Sequence, residues 1–96
     1  MKAYVYILTT IENTTLYTGV TSDLEDRIHK HKTAFYKGSF THSYNVTKLV
    51  YYEVFDTMLD AIKREKQIKA GSRARKVALI NTMNPEWNDL SVILQA

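Results

Sequence analysis

The chain has no cysteine, a single proline and three glycines in 96 residues. Without cysteine there is no disulfide, no thiolate nucleophile and no cysteine-based zinc site. Scarce glycine and proline leave no flexible linker or low-complexity run, and no repeat at solenoid spacing occurs. Residues 1–96 are therefore expected to form one domain, large enough for a modest core but not for two. No apolar run approaches the length of about 18 residues that spans a bilayer. The N-terminal "MKAYVYILTTIENTT" lacks a small-residue cleavage site after its short apolar stretch, so the chain reads as cytoplasmic.

What is present is an uneven distribution of charge. Net charge is only +3, but more than half of the 13 lysines and arginines fall between Lys63 and Lys76. In "AIKREKQIKAGSRARK" the cations are Lys63, Arg64, Lys66, Lys69, Arg73, Arg75 and Lys76, and the one acid is Glu65. A patch of this density attracts polyanions through counterion release, so these seven are candidate nucleic-acid contacts. A solvated basic helix face is the plain alternative.

Glu65 is the odd residue. "TMLDAIKREKQIKAG" has Thr57 and Asp60 at N-cap and N3 spacing and ends at Gly71, which can close a helix in the left-handed conformation. At about 100° per residue, Met58, Ala61, Ile62 and Ile68 make the inward stripe, and Glu65 falls in its middle. A carboxylate there must be neutralised, paired with a cation such as an arginine, or bound to a metal.

Elsewhere the pattern alternates between periods of two and 3.6. "AYVYILTT" reads as a strand buried on both faces, "IENTT" as a turn, and "LYTGV" as the returning strand of a hairpin. "SDLEDRIHKHK" has capping-box spacing from Ser22 to Glu25, with Leu24, Ile28 and His31 inward and Arg27 beside them. "TAFYKGSFTHSYN" has no period and reads as a loop, and "VTKLVYYEVF" reads as a third strand, central or covered on both faces. Ser72 caps a shorter helix packed through Val77, Ala78, Leu79 and Ile80. Pro85 then breaks it, and Trp87 reads as an anchor across the domain. The expected fold is α/β (α+β): a small three-stranded antiparallel sheet flanked by helices, in the order β-β-α-β-α-α.

Tyr4-Val5-Tyr6, then Tyr17-Thr18-Gly19, then Arg27 in the next helix and Ala61 four residues before Glu65 together resemble the GIY-YIG nuclease superfamily. The likeness spans nearly the whole chain and is nearest to the small stand-alone bacterial (YhbQ-like) group, whose chains often end in a stretch similar to "REKQIKAGSRARKVALINTMNPEWNDL". The resemblance implies a divalent-metal-dependent endonuclease that hydrolyses phosphodiester bonds. It implies that Glu65 is the only protein ligand to one Mg²⁺ or Mn²⁺, that Arg27 contacts the scissile phosphate, and that Tyr6 and Tyr17 flank the attacking water. It also gives His31 a catalytic or phosphate-contacting place. Tyr17, Tyr6 and His31 all stand as candidates for the general base. Two departures bear on activity: the first motif has lost its glycine, and Val20 follows Gly19 where several active members carry a lysine.

The residue chemistry agrees with that expectation. One hard cation held by one carboxylate keeps most of its waters and can stabilise charge on phosphorus and on the leaving oxygen. A guanidinium binds two phosphate oxygens at once. Tyrosine, with an ordinary pKa of about 10, serves as a base only if cations favour its phenolate, whereas histidine titrates near 6.5. Plain readings stand beside these: strand aromatics for Tyr6 and Tyr17, an ion pair for Arg27 with Glu65, and core closure for Phe35, Tyr36, Phe40 and Tyr44 instead of base stacking. His29 and His31 point to different helix faces, which disfavours a zinc site with His42.

The expected substrate is DNA, with RNA and branched or single-stranded forms as alternatives, and sequence specificity is expected to be low because phosphate contacts carry no sequence information. A partner protein supplying specificity is a further alternative, and roles in replication, DNA repair and mobile elements are all compatible. The main rival is a catalytically weak or inactive nucleic-acid-binding module of the same fold. A protein-interaction domain with a basic face comes third.

Overall fold

Along the first strand, Val5 and Ile7 point to one side and Tyr4, Tyr6 and Leu8 to the other, and the fold follows from covering both sides. The computed structural model describes residues 2–33 and 45–94. Its sheet has the order β2-β1-β3, with β1 (Ala3–Thr9) between β2 (Leu16–Thr21) and β3 (Lys48–Phe55), both pairings antiparallel. Helix α1 (Leu24–Lys32) follows the β1–β2 hairpin. Helices α2 (Met58–Ala70) and α3 (Arg73–Met83), and the short α4 (Ser91–Leu94), follow β3. The expected three-stranded antiparallel sheet with flanking helices is the observed one, and α4 is an addition to it.

Two cores lie on the two faces. Val5, Ile7, Val50, Ala61, Ile68 and Ile80 form an aliphatic core between the sheet and helices α2 and α3. Tyr6, Leu8, Leu24, Ile28, Val46 and Leu49 form the other, under α1. The centre of the sheet is β1, and β3 is an edge strand covered on both faces. A register shift between Ile7 and Leu8, whose partners are Tyr51 and Leu49, inserts Val50 as an extra residue in β3. Val50 and Tyr51 therefore both reach the aliphatic core.

The outer edge of β3 is blocked by the segment after α3. The Leu90 amide donates to the Leu49 carbonyl at 2.7 Å, and the Asn84 side-chain amide donates to the Val50 carbonyl at 3.2 Å. The Asp89 carboxylate accepts from the Leu49 and Ser91 amides and pairs with Lys32 of α1 at 2.6 Å. This is the structural use of "NPEWNDL": it satisfies the backbone of an edge strand that would otherwise invite another chain. Trp87, at φ 55, packs against the aliphatic core and donates its indole N–H to Asn81.

Helix ends differ from expectation at two places. The N-cap of α1 is Asp23, whose carboxylate accepts from the Asp26 amide, and not Ser22. Thr21 fixes that frame, since its hydroxyl already takes the Asp23 amide and turns the chain one residue later. Gly71 ends α2 at φ −79 and ψ 162, extended and not left-handed, because α3 begins at once with Ser72 as its N-cap. Thr57 caps α2 as its spacing predicts.

Candidate active site

Three rings from three elements meet on the α1 side of the sheet. The hairpin register pairs Leu8 with Tyr17 and Tyr6 with Gly19, which puts both tyrosines on one face. Tyr6 and Tyr17 have ring centroids 6.4 Å apart, and His31 from α1 lies 6.1 Å from Tyr6 and 5.8 Å from Tyr17. The Tyr6 hydroxyl and the His31 Nε2 are hydrogen-bonded at 3.3 Å. Tyr6 is fully buried, His31 nearly so, and Tyr17 half-buried.

Gly19 makes the cluster possible. A Cβ at that position would overlap the Tyr6 hydroxyl and the ring carbon that carries it. The tyrosine therefore lies flat across its cross-strand partner with its hydroxyl carried toward β2, which any larger residue at 19 would prevent. The dependence of Tyr6 on Gly19 is a contact between strands that spacing alone does not reveal.

Helix α1 brings a cation to the rings. Arg27 is half-buried one helical turn before His31, and burial together with the Arg27 charge pushes the His31 pKa down to about 4. The imidazole is therefore neutral at pH 7. It is also a weaker proton acceptor than an ordinary histidine, which alters the expectation that His31 needs no shift to act as a base.

Glu65 lies on the other side of the sheet, on α2, with its side chain 13% exposed and paired to Lys69 at 2.9 Å. Arg64 sets the rotation of α2 by gripping Glu53 of β3 through Nε and Nη2, at 3.0 Å each. Glu65 is about 100° further round the helix, and the helix packs against β1 and β2 as well as β3. Among the described residues no group of three or more His, Asp or Glu could hold a metal ion. A cation at Glu65 would thus have at most two protein ligands of these types and otherwise water or phosphate oxygens, a donor set that fits Mg²⁺ better than zinc.

The basic run divides by what each residue already holds. Arg64 grips Glu53, whose carboxylate also takes the Tyr51 hydroxyl; burial and Glu53 push the Tyr51 pKa up to about 12. Arg73 donates to the Asn13 and Thr14 carbonyls of the hairpin turn at 3.0 and 3.1 Å, and the Lys76 ammonium donates to the Gly71 carbonyl. Lys69 holds Glu65. Lys63 and Lys66 lie on the outward face of α2, and Arg75 is exposed on α3. The expectations for Phe35, Tyr36, Phe40, His42 and Tyr44 fall outside the described residues.

A three-stranded sheet whose first two strands give tyrosines to one cluster, with an arginine from the next helix, defines a small α/β nuclease class. The chain belongs to the GIY-YIG family: the GIY-YIG catalytic domain model matches residues 2–78. A UPF0213 protein of Syntrophus aciditrophicus is 45% identical over 85 residues, covering 88% of this chain and 95% of the relative. A UPF0213 protein of Staphylococcus saprophyticus is 41% identical over 80 residues, covering 83% and 95%. The solution NMR structure of a UPF0213 protein of Bacillus halodurans aligns with a TM-score of 0.58 at 29% identity, over 93% of each chain.

Proposed function

We propose that this chain is a divalent-metal-dependent endonuclease that hydrolyses phosphodiester bonds of DNA with low sequence specificity. The observation that carries the reading is the cluster of Tyr6, Tyr17 and His31 with Arg27 beside it, assembled from three elements around Gly19. Arg27 binds the phosphate that is cut and opposes the charge that develops on it. Full burial disqualifies Tyr6 from meeting water, so Tyr6 is the group that holds His31 in place. That leaves the half-buried Tyr17 to meet the attacking water, with the neutral imidazole of His31 behind it as a place for a proton.

Glu65 would hold the single Mg²⁺ or Mn²⁺ through the carboxylate that is paired with Lys69. When bound, that ion supplies charge neutralisation at the phosphate and the leaving oxygen. The outward cations Lys63, Lys66 and Arg75 hold the phosphate backbone, which gives affinity without base readout.

A second reading is favoured by two specific features: Lys69 sits on the proposed metal ligand, and Val20 follows the second motif. On that reading the chain binds nucleic acid with little turnover. Supercoiled plasmid, single-stranded DNA and RNA are incubated with Mg²⁺ or Mn²⁺ and either the wild type or Glu65→Gln purified in parallel. Metal-dependent cutting that the substitution abolishes is the expected result. Salt-sensitive binding by both proteins with no cutting by either selects the binding-module reading.

A further inference from the structure

Between α2 and α3 lies a cavity of about 350 Å³. Its floor is Ile68, Ala78 and Leu79, and Arg64, Arg75 and Lys76 supply charge around it, with no acid lining it among the described residues. Gly71 keeps its end open: a Cβ there would press on the Ile68 carbonyl at 3.3 Å and meet the Arg75 side chain at 3.6 Å. Two of the three cations are already directed, Arg64 by Glu53 and Lys76 by the Gly71 carbonyl. Arg75 is exposed, and its guanidinium makes no hydrogen bond or ion pair among the described residues.

We infer that this groove holds one unpaired nucleotide of the substrate, with its base on the aliphatic floor and its phosphate on Arg75 and Lys76. The inference rests on the nuclease reading above and deepens it by naming the substrate class. The volume falls within the range of small-ligand pockets, and the pairing of an apolar floor with cations at the rim matches a base joined to a phosphate. A base stacked in a duplex offers its edge and not its face, so the floor can be covered only by a base out of the stack. The cations continue from the groove onto the outward face of α2 through Lys63 and Lys66, which suits a chain of regularly spaced phosphates more than a single acidic side chain.

The test compares a blunt DNA hairpin with the same hairpin carrying a three-nucleotide single-stranded tail. Binding is followed by fluorescence anisotropy in the presence of a chelator, so that no turnover intervenes. Wild type is expected to hold the tailed hairpin about tenfold more tightly, equivalent to one pairwise contact of moderate strength. Ala78→Leu fills the groove from an exposed helix position, and Arg75→Gln removes the phosphate partner. Each should bring the preference to within about twofold of unity while blunt-hairpin binding by Ala78→Leu stays unchanged, with circular dichroism confirming that both variants fold. A wild type that binds both hairpins equally, or a preference that survives both substitutions, overturns the groove and leaves the nuclease reading standing. Failure to bind either hairpin, both in chelator and with Ca²⁺ in its place, overturns both. A poly-glutamate peptide bound as tightly as the tailed hairpin, and weakened by the same substitutions, would make the occupant an acidic protein segment and overturn the nucleotide.

Discussion

Tyr6 and Ile7 are neighbours on the central strand, both fully buried, and they face opposite cores. On the Ile7 side, the buried cluster of Val5, Val50, Ala61, Ile68 and Ile80 is aliphatic at its centre and needs nothing but close packing. On the Tyr6 side, a phenol and an imidazole are buried and hydrogen-bonded to each other. Equal burial therefore has two uses: one face supplies stability, and the other gives up some of it to hold polar groups in a fixed arrangement. The comparison is broken most strongly at Ile7. Replacing Ile7 by Ala should cost about 2–5 kcal/mol by urea denaturation. Cleavage per folded molecule should stay near the wild-type rate if α2 keeps its seat, because the rings lie across the sheet and only Glu65 shares the Ile7 side. A rate that falls further than the folded fraction would show that the void has moved Glu65 or that the two faces are coupled.

The next largest effect tests the seat of the ring. In Gly19→Ala the added methyl meets the Tyr6 hydroxyl, which is rigidly held between β2 and α1 and has little room to retreat. A loss of about 1–3 kcal/mol is expected from overpacking, with cleavage reduced far beyond that of Ile7→Ala at equal folded fraction. A variant that melts earlier but cuts normally would remove Gly19 from the site.

Tyr6→Phe changes only an oxygen. It should cost about 1 kcal/mol, since the hydrogen bond between the Tyr6 hydroxyl and the His31 Nε2 is lost while ring packing remains. His31 itself carries a pH signature. Its folded pKa, about 4, lies below the ordinary 6.5, so the unfolded chain binds the proton more readily between those values. The stability this contributes is present above about pH 6.5 and is lost as pH falls toward 4. His31→Gln should flatten that part of the stability profile, measured by denaturant unfolding at several pH values between 4 and 8. An unchanged slope would assign the acid sensitivity to the carboxylates instead; among these Glu53 and Asp89 are held below their usual range by Arg64 and by Lys32 with Ser91.

Local chemistry was legible in the sequence and long-range partnership was not. The strands, the Thr57 and Ser72 caps and the inward stripe of Leu24, Ile28 and His31 follow from spacings of two to four residues. That β1 and not β3 is the centre depends on which hydrophobic runs find partners on both sides, and the apolar character of the two runs is similar. The extended Gly71 depends on Ser72 starting a new helix, a competition between neighbours that a residue preference does not resolve. The family pattern singled out Tyr6, Tyr17, Arg27, His31 and Glu65, and the first, second and fourth of these meet as rings while Glu65 sits on α2 across the sheet, paired with Lys69. The basic run looked uniform because charge is a property of each residue, whereas its division depends on carbonyls some sixty positions earlier in the chain.

That division supplies the smallest effects and the finest form of the same contrast between holding the fold and meeting a ligand. Arg73 commits two of its donors to the hairpin turn, where Asn13 sits at φ 62 and has its side-chain oxygen held by Lys48. Arg73→Ala should therefore cost about 1 kcal/mol of stability and leave the salt dependence of DNA binding nearly unchanged. Lys63→Ala with Lys66→Ala should do the reverse. Stability should move by no more than about 0.5 kcal/mol, and the slope of log binding constant against log salt should shrink by about one for each phosphate that is no longer neutralised. The two variants are compared by thermal melts and by anisotropy over a salt series. If Arg73→Ala lowered the slope as much as the double variant, its guanidinium would be reaching phosphate despite its bonds to the turn, and the fold-holding and ligand-meeting halves of the run would be one surface.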